Sequence, residues 1–312
     1  MIVALTGGTG FVGRHVLSAL LRREHEVRLL VRSPARERWL KDQAPAAVIV
    51  PGALGDNAAL AQLVQGADAV IHLVGIIIES GRQTFQRVHV DGTRALLQAA
   101  KDAGVKRFAH MSALGARADQ GATAYHRTKA AAEELVRASG LPHVILRPSI
   151  IAAPGNEALE MMVGMLRLSP IVPVIGNGLY QLQPVAADDV ADAFVTAVEN
   201  PGISGTFDIA GSQALTYNAV LDELEAALGV HRPRIPVPVG MAQFAAFAGT
   251  ALPSLSPISP DQLQMLLEGS TTTANALPGT FHITPRPFAE VAREICAPYA
   301  SSSGAQAAVT RT

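Results

Sequence analysis

Ile2-Val3-Ala4-Leu5-Thr6-Gly7-Gly8-Thr9-Gly10-Phe11-Val12-Gly13 opens the chain, and its reading decides the fold. Ile2–Leu5 is too short for a helix and rich in β-formers, so it reads as a buried strand. After the glycines, Val12, Val16, Leu20 and Leu21 recur at helical spacing. A second apolar run, Val27-Arg28-Leu29-Leu30-Val31, ends at Arg32. Strand, Gly-rich turn, helix and strand make a βαβ unit suited to a dinucleotide. Gly7 permits the tight turn. Gly10 lets backbone N–H groups approach a pyrophosphate at the helix N-terminus, and Gly13 lets the helix pack closely on the strand. The spacing G-x-x-G-x-x-G is one residue wider than the usual G-x-G-x-x-G.

Arg32 bears on which nucleotide is bound. An NAD site usually carries Asp or Glu about 20 residues past the glycines, to bond the ribose 2′-OH. Here Arg32 is followed by Ser33, Pro34 and Arg36. Ser33 as N-cap and Pro34 at the first helical position read as a helix start. An arginine there suits a 2′-phosphate, which favours NADP(H) over NAD(H); a solvated arginine in a basic loop is the alternative.

The 312 residues suffice for a large α/β domain and a smaller lobe. Half the residues are apolar and few are charged, which permits a large core and some apolar surface or pocket. A net charge of −1 gives no electrostatic case for nucleic-acid binding. The lone Cys296 excludes an intramolecular disulfide and fits a reducing compartment. Met1 leads straight into the first strand without a signal peptide, and no run is long enough to span a membrane. The expected location is cytoplasmic, either free or peripheral on the inner membrane. The histidines show no metal-ligand spacing, so no metal is expected.

Strands and helices alternate to about residue 150, as in a Rossmann-type doubly wound parallel sheet. The expected strands are Ala47–Val50, Ala67–Val74, Val105–Met111 and His143–Leu146. The expected helices run from about Asn57 to Gln65, capped by Asp56, from about Gln83 to Ala103, and from Ala122 to Ser139. The domains are then 1–150 for the nucleotide, a smaller, mainly helical lobe over 151–300, and a disordered tail over 301–312. The lobe is expected to return some elements to the sheet and to close over the nicotinamide end. Asp188 and Asp189 begin a helix and read as capping residues rather than an acid–base pair. Two nearly charge-free stretches, Met161–Leu166 and Pro238–Leu252, read as core. The alternatives are a surface for a membrane or partner and a pocket for an apolar ligand such as a quinone.

Tyr125-His126-Arg127-Thr128-Lys129 is the second informative motif. Tyr and Lys four apart share a helix face. The ammonium is expected to pull the phenol's pKa down, and Lys129 to hold a nicotinamide ribose, making Tyr125 a proton donor or acceptor beside a hydride site.

The glycine turn, Asp56, the strand ending at Gly75, Tyr125-x-x-x-Lys129 and Leu146-Arg-Pro-Ser149 resemble the extended short-chain dehydrogenase/reductase superfamily over about residues 1–210. His89-Val-Asp-Gly-Thr93, His110-Met-Ser-Ala-Leu-Gly115 and Tyr125–Glu133 are similar to an atypical subgroup. That subgroup contains the dehydrogenase-like accessory subunit of respiratory complex I and its bacterial relatives. The resemblance implies that Gly7, Gly10, Phe11, Val12 and Gly13, with Thr9 in the same turn, hold the pyrophosphate. It implies Arg32 for the 2′-phosphate, with Ser33 and Arg36 beside it, and Asp56 and Asn57 for the adenine. Leu73, Val74 and Gly75 would line the cofactor's middle, and Pro148 and Ile150 its nicotinamide side. Tyr125 and Lys129 match the catalytic pair.

Two positions depart from the family. His89 stands where the active tetrad has Asn, and Ala113 where it has the Ser or Thr that polarises the carbonyl. Ser112, one place earlier, is either catalytic or a strand-end hydroxyl bonded to nearby backbone. The expectations are therefore two: an NADP(H)-dependent oxidoreductase on an apolar carbonyl or quinone-like substrate, or a largely non-catalytic NADP(H)-binding protein of respiratory complex I or quinone metabolism. An epimerase or dehydratase with a tightly held cofactor is a third, lesser reading.

Overall fold

The computed structural model describes residues 1–37, 39–249 and 258–300, the side chains of Arg36 and Ala300 apart. The tail 301–312 and residues 250–252 of the second apolar stretch lie outside the described residues. The chain divides into two compact units.

The first unit comprises Met1–Pro148, Ala187–Ile209 and Thr272–Thr284, so the sheet draws on two later segments. Its strands are β1 (Ile2–Thr6), β2 (Glu26–Val31), β3 (Val48–Pro51), β4 (Ala69–His72), β5 (Arg107–Met111) and β6 (His143–Pro148), with an edge strand at Gly205–Ile209. The order is edge strand, β6, β5, β4, β1, β2, β3, and every pairing is parallel. Val3, Ala4 and Leu5 are wholly buried, as are Val70, Ile71, Phe108 and Ala109, because helices cover both faces of a parallel sheet. Leu60, Leu63, Leu96 and Val136 from three helices pack with Ala4, Val70, Phe108 and Ile145 into one core. All carboxyl ends lie along one edge, and the order turns back beside β1 and β4, where a crevice for a ligand forms in sheets of this kind.

Three local expectations are met in altered form. Pro34–Arg36 forms only a single 3-10 turn, and Ser33 makes no capping hydrogen bond. The helix expected from Gln83 is a π-helical turn, Gln86–Asp91, running into an α-helix, Gly92–Asp102. Asp188 and Asp189 lie inside the first turn of helix Ala187–Glu199, where negative charge suits the helix dipole. Asp188 also meets His15 of helix Phe11–Arg22, Oδ1 to Nδ1, at 2.7 Å.

The second unit comprises Ser149–Ala186, Ala210–Thr271 and Pro285–Thr312, as far as it is described. Helices Glu157–Leu168, Tyr217–Leu228 and Phe288–Ala300 build its core from Leu159, Val163, Leu166, Leu221, Leu224 and Ile295. Cys296 is buried in that core, and burial pushes its thiol up to about 11, so it behaves as a small apolar residue. The core reading of the second apolar stretch is overturned over its described part. In helix Val239–Gly249 only Ala246 is buried, while Met241 and Phe244 are 64% and 75% exposed. No helix among the described residues is long and apolar enough to cross a membrane.

Candidate nucleotide and redox site

The glycine turn sits at the carboxyl end of β1. Gly7 has φ of +80°, which L-residues rarely adopt. A Cβ on Gly13 would overlap the carbonyl oxygen of Gly7, so helix Phe11–Arg22 lies directly on the turn. Gly10 precedes the helix with no side-chain cap, and the first turn holds no acidic residue. The N–H groups of the first turn, from Phe11, Val12 and Gly13, have no intrahelical acceptor, and no acidic side chain of that turn competes for them. With Thr9 beside them, these residues fit a dinucleotide pyrophosphate: a concave backbone, positive at the helix end, that a Cβ would fill.

The other expected cofactor residues follow the neighbouring strand ends. Arg32, next after β2, is exposed and has no hydrogen bond or ion pair among the described residues. No carboxylate among the described residues pairs with it, which leaves the guanidinium available to a phosphate. Arg36 occupies the short turn beyond. Asp56 caps helix Asn57–Val64, its Oδ1 accepting from Ala58 and Ala59 N–H at 3.1 Å. One carboxylate oxygen is thus committed to the helix. Leu73, Val74 and Gly75 follow β4, and Pro148 ends β6. Ile150 belongs to the second unit.

Helix Ala124–Ala138 starts at Thr123, whose side chain accepts from His126 N–H at 3.2 Å. It presents Tyr125, Lys129 and Glu133 on successive turns. Lys129 is almost fully buried, donates to the Met111 carbonyl at 3.0 Å, and lies 5.9 Å from the centre of the Tyr125 ring. Burial pulls Lys129 down to about 8 and pushes the Tyr125 phenol up to about 12. The expected lowering of the phenol is therefore reversed: loss of water around it outweighs the ammonium.

Ser112 is buried, and its hydroxyl makes no hydrogen bond of normal geometry; the expected bond to nearby backbone is absent. It lies close enough to Glu133 to help hold that carboxylate low, alongside Arg147 and Arg137. Glu133 is two helical turns beyond Tyr125, a rise of about 12 Å. Ser112 thus faces the inner end of the helix, and Ala113 brings no hydroxyl.

Sequence reasoning missed a buried polar array beside this pair. Thr6 Oγ1 is 2.6 Å from His72 Nδ1, and His72 Nε2 is 3.0 Å from Thr93 Oγ1. Thr93 spends its only proton on the His89 carbonyl at 2.6 Å, so it must accept from His72 Nε2–H, and Thr6 donates to Nδ1. His72 is fully buried and pulled down to about 3 by desolvation and then by Lys129, so it stays neutral. His110 lies beside it, ring centres 5.4 Å apart, with neither nitrogen hydrogen-bonded. The available signal was a polar residue ending each of two otherwise apolar strands, since buried polar groups need partners. No cluster of candidate metal ligands occurs among the described residues.

The sheet order, the glycine turn and the uncapped helix above β1 define a Rossmann-type nucleotide-binding protein. Residues 7–201 match the NAD(P)H-binding family, and the chain belongs to it, within the atypical, extended short-chain dehydrogenases/reductases. It is 37% identical over 193 residues to ceramide reductase of Caulobacter vibrioides, covering 62% of this chain and 58% of that one. It is 30% identical over 246 residues to mitochondrial NADH dehydrogenase (ubiquinone) 1 alpha subcomplex subunit 9 of Rattus norvegicus, covering 77% of this chain and 64% of that one. The chain thus spans under two thirds of either relative's length. Its fold is similar to that of UDP-glucuronic acid 4-epimerase from Bacillus cereus, solved with NAD, with a TM-score of 0.73 over 96% of this chain and 100% of that one, at 18% identity.

Proposed function

We propose that this chain is an NADP(H)-dependent oxidoreductase acting on an apolar carbonyl or quinone-like substrate. The observation that carries the reading is Lys129. A lysine is rarely buried without a task, and this one stands at the end of β5, one turn from Tyr125. Bound NADP(H) would supply the hydride. Arg32 would take the 2′-phosphate, the glycine turn the pyrophosphate, and Lys129 the nicotinamide ribose. Tyr125 keeps its proton at neutral pH, which suits a donor to the reduced oxygen. Ala113 leaves carbonyl polarisation to Tyr125 alone, so slow turnover of simple ketones is expected. Ceramide reductase, by its name, acts on a lipid, which supports an apolar substrate.

A second reading is supported by His89 and Ala113 and by the exposed Met241 and Phe244: an NADP(H)-binding structural or assembly protein tied to respiratory complex I or quinone metabolism. One experiment separates the two. Binding of NADPH and NADH is measured for the wild type and Arg32→Ala, followed by NADPH oxidation with menadione and with long-chain ketones. The first reading expects tighter NADPH binding, lost in the variant, together with turnover. Binding without turnover supports the second. Equal binding of both nucleotides, unchanged by the substitution, overturns the phosphate assignment.

A further inference from the structure

We propose that His89 is a positioning residue, locked in one tautomer, that clamps the Gly75–Ile76 turn to the first turn of the Tyr125 helix. It sits in the π-helical turn Gln86–Asp91, a geometry that inserts one residue into a helix and re-aims side chains. Its ring bridges two elements far apart in sequence. Ile76 N–H donates to Nε2 at 3.1 Å, so Nε2 is the acceptor and the ring proton is on Nδ1. Nδ1 lies 3.0 Å from Thr128 Oγ1. The Thr128 hydroxyl in turn donates to the Ala124 and Tyr125 carbonyls, each at 3.0 Å. The connection therefore runs from the turn after β4, through His89 and Thr128, to the backbone of Tyr125 itself.

The rings add a second constraint. His89 stacks on Phe85 at 5.4 Å and 23°, and meets the Tyr125 ring edge-on at 5.6 Å and 82°. Phe85 also meets Tyr125 edge-on, at 5.9 Å. The Tyr125 ring thus abuts two rings that stack on each other, and His126 meets it as well, at 5.5 Å. On the far side of the turn, a Cβ on Gly75 would lie 3.6 Å from His89 Nε2 and 3.0 Å from Lys129 Nζ. One side chain thus sets the turn, Tyr125 and the space before Lys129 together. His89 is buried and faces Lys129 and His72, all of which disfavour a second proton, so it holds geometry and does not shuttle protons.

The two contacts can be removed separately. Asn places an amide N–H where Nδ1 stood and keeps the Thr128 contact; Gln places an amide oxygen where Nε2 stood and keeps the Ile76 contact. The proposal builds on the nucleotide reading, but two of its measurements do not need nucleotide. In full-length protein labelled with 15N-histidine, the His89 ring should show a protonated Nδ1 and a bare Nε2, unmoved from pH 5.5 to 8. Ile76 amide exchange should speed at least tenfold in His89→Ala and His89→Asn and return toward wild type in His89→Gln. A ring protonated on Nε2, a ring that titrates in this range, or an Ile76 amide indifferent to His89→Ala would overturn the clamp. A third measurement uses NADPH as probe. His89→Ala should bind it within threefold of wild type yet lose the enhanced fluorescence of a rigid nicotinamide, and His89→Gln should recover part of that enhancement. Wild type that fails to bind NADPH would sink the nucleotide reading and leave the first two measurements to decide the clamp. Full enhancement in the variant would end the positioning role.

Discussion

Lys129 Nζ lies 3.0 Å from the point where a Cβ at position 75 would stand, so Gly75 and Lys129 face each other across the end of β4. A methyl there makes the ammonium or the turn give by a few tenths of an ångström, which strains the bond from Lys129 to the Met111 carbonyl. Because Gly75 is exposed, the fold loses little. Gly75→Ala is expected to weaken NADPH binding about tenfold, roughly the 1.4 kcal/mol of a partly lost charged hydrogen bond, with an almost unchanged urea midpoint. Wild-type affinity in this variant, measured by fluorescence titration, would show that the turn does not border the cofactor.

The buried ammonium also makes stability depend on pH. Lys129 titrates at about 8 in the fold and at 10.5 when exposed, because of desolvation only partly offset by Glu133. Between these values the unfolded chain holds the extra proton, so stability rises with pH. The penalty is complete below pH 8 and is relieved upward, by on the order of 3 kcal/mol if the whole shift is realised. Tyr125 has the opposite sign. Its phenol is raised to about 12, so above pH 10 the unfolded chain loses its proton first and stability falls. Urea denaturation at pH 7 and 9.5 should show a gain for wild type and none of this component for Lys129→Met. The same gain in both would place the titrating group elsewhere.

Tyr125 keeps its proton throughout the physiological range, and an alkaline limb in a pH–rate profile should therefore sit near 8 and belong to Lys129. Tyr125→Phe is expected to lower NADPH oxidation at least a hundredfold with any accepted substrate, while NADPH affinity stays within threefold. The ring contacts with Phe85 and His89 need no hydroxyl, so the variant should fold as the wild type does. Undiminished turnover would remove Tyr125 from the chemistry.

What the sequence revealed and what it hid divide along the range of the interactions involved. The glycine turn was legible because Gly7 answers to its own backbone angle, with φ of +80°, and Gly13 to the Gly7 carbonyl in the same turn. The Tyr125–Lys129 face was legible because helical geometry is local. The Thr6–His72–Thr93 array was not, since it needs the parallel register that sets Thr6 beside His72 across 66 residues. The sign of the Tyr125 shift was missed for the same reason: spacing shows a neighbouring ammonium but not how much water the fold removes. The charge-free run that includes Val239–Gly249 left core and surface both open, because composition alone cannot tell a buried apolar helix from an exposed one.

Glu133 joins the Tyr125 helix to the sheet. Its side chain is 1% exposed, and Arg147 of β6 grips both oxygens at 2.7 and 2.6 Å, with Arg137 on Oε2 at 2.6 Å. Desolvation alone would raise its pKa, but the hydrogen bonds and charge of Arg147, helped by Arg137 and the nearby Ser112 hydroxyl, outweigh it and hold the carboxyl below its ordinary value of 4.5. A lowered carboxylate contributes stability above its unfolded value and loses it as pH falls through the folded one. Glu133→Ala leaves two arginines without this partner and is expected to cost about 3–5 kcal/mol at pH 7. Glu133→Gln keeps the shape and should cost less. As the pH falls below the unfolded value of 4.5 and on through the lowered folded one, the wild type loses the part of this contribution that the shift represents, so the gap between wild type and Glu133→Ala should narrow as the pH is lowered from 7 to 3. A gap that stays constant over that range, read by urea denaturation, would mean that Glu133 acts by filling space and not by its charge.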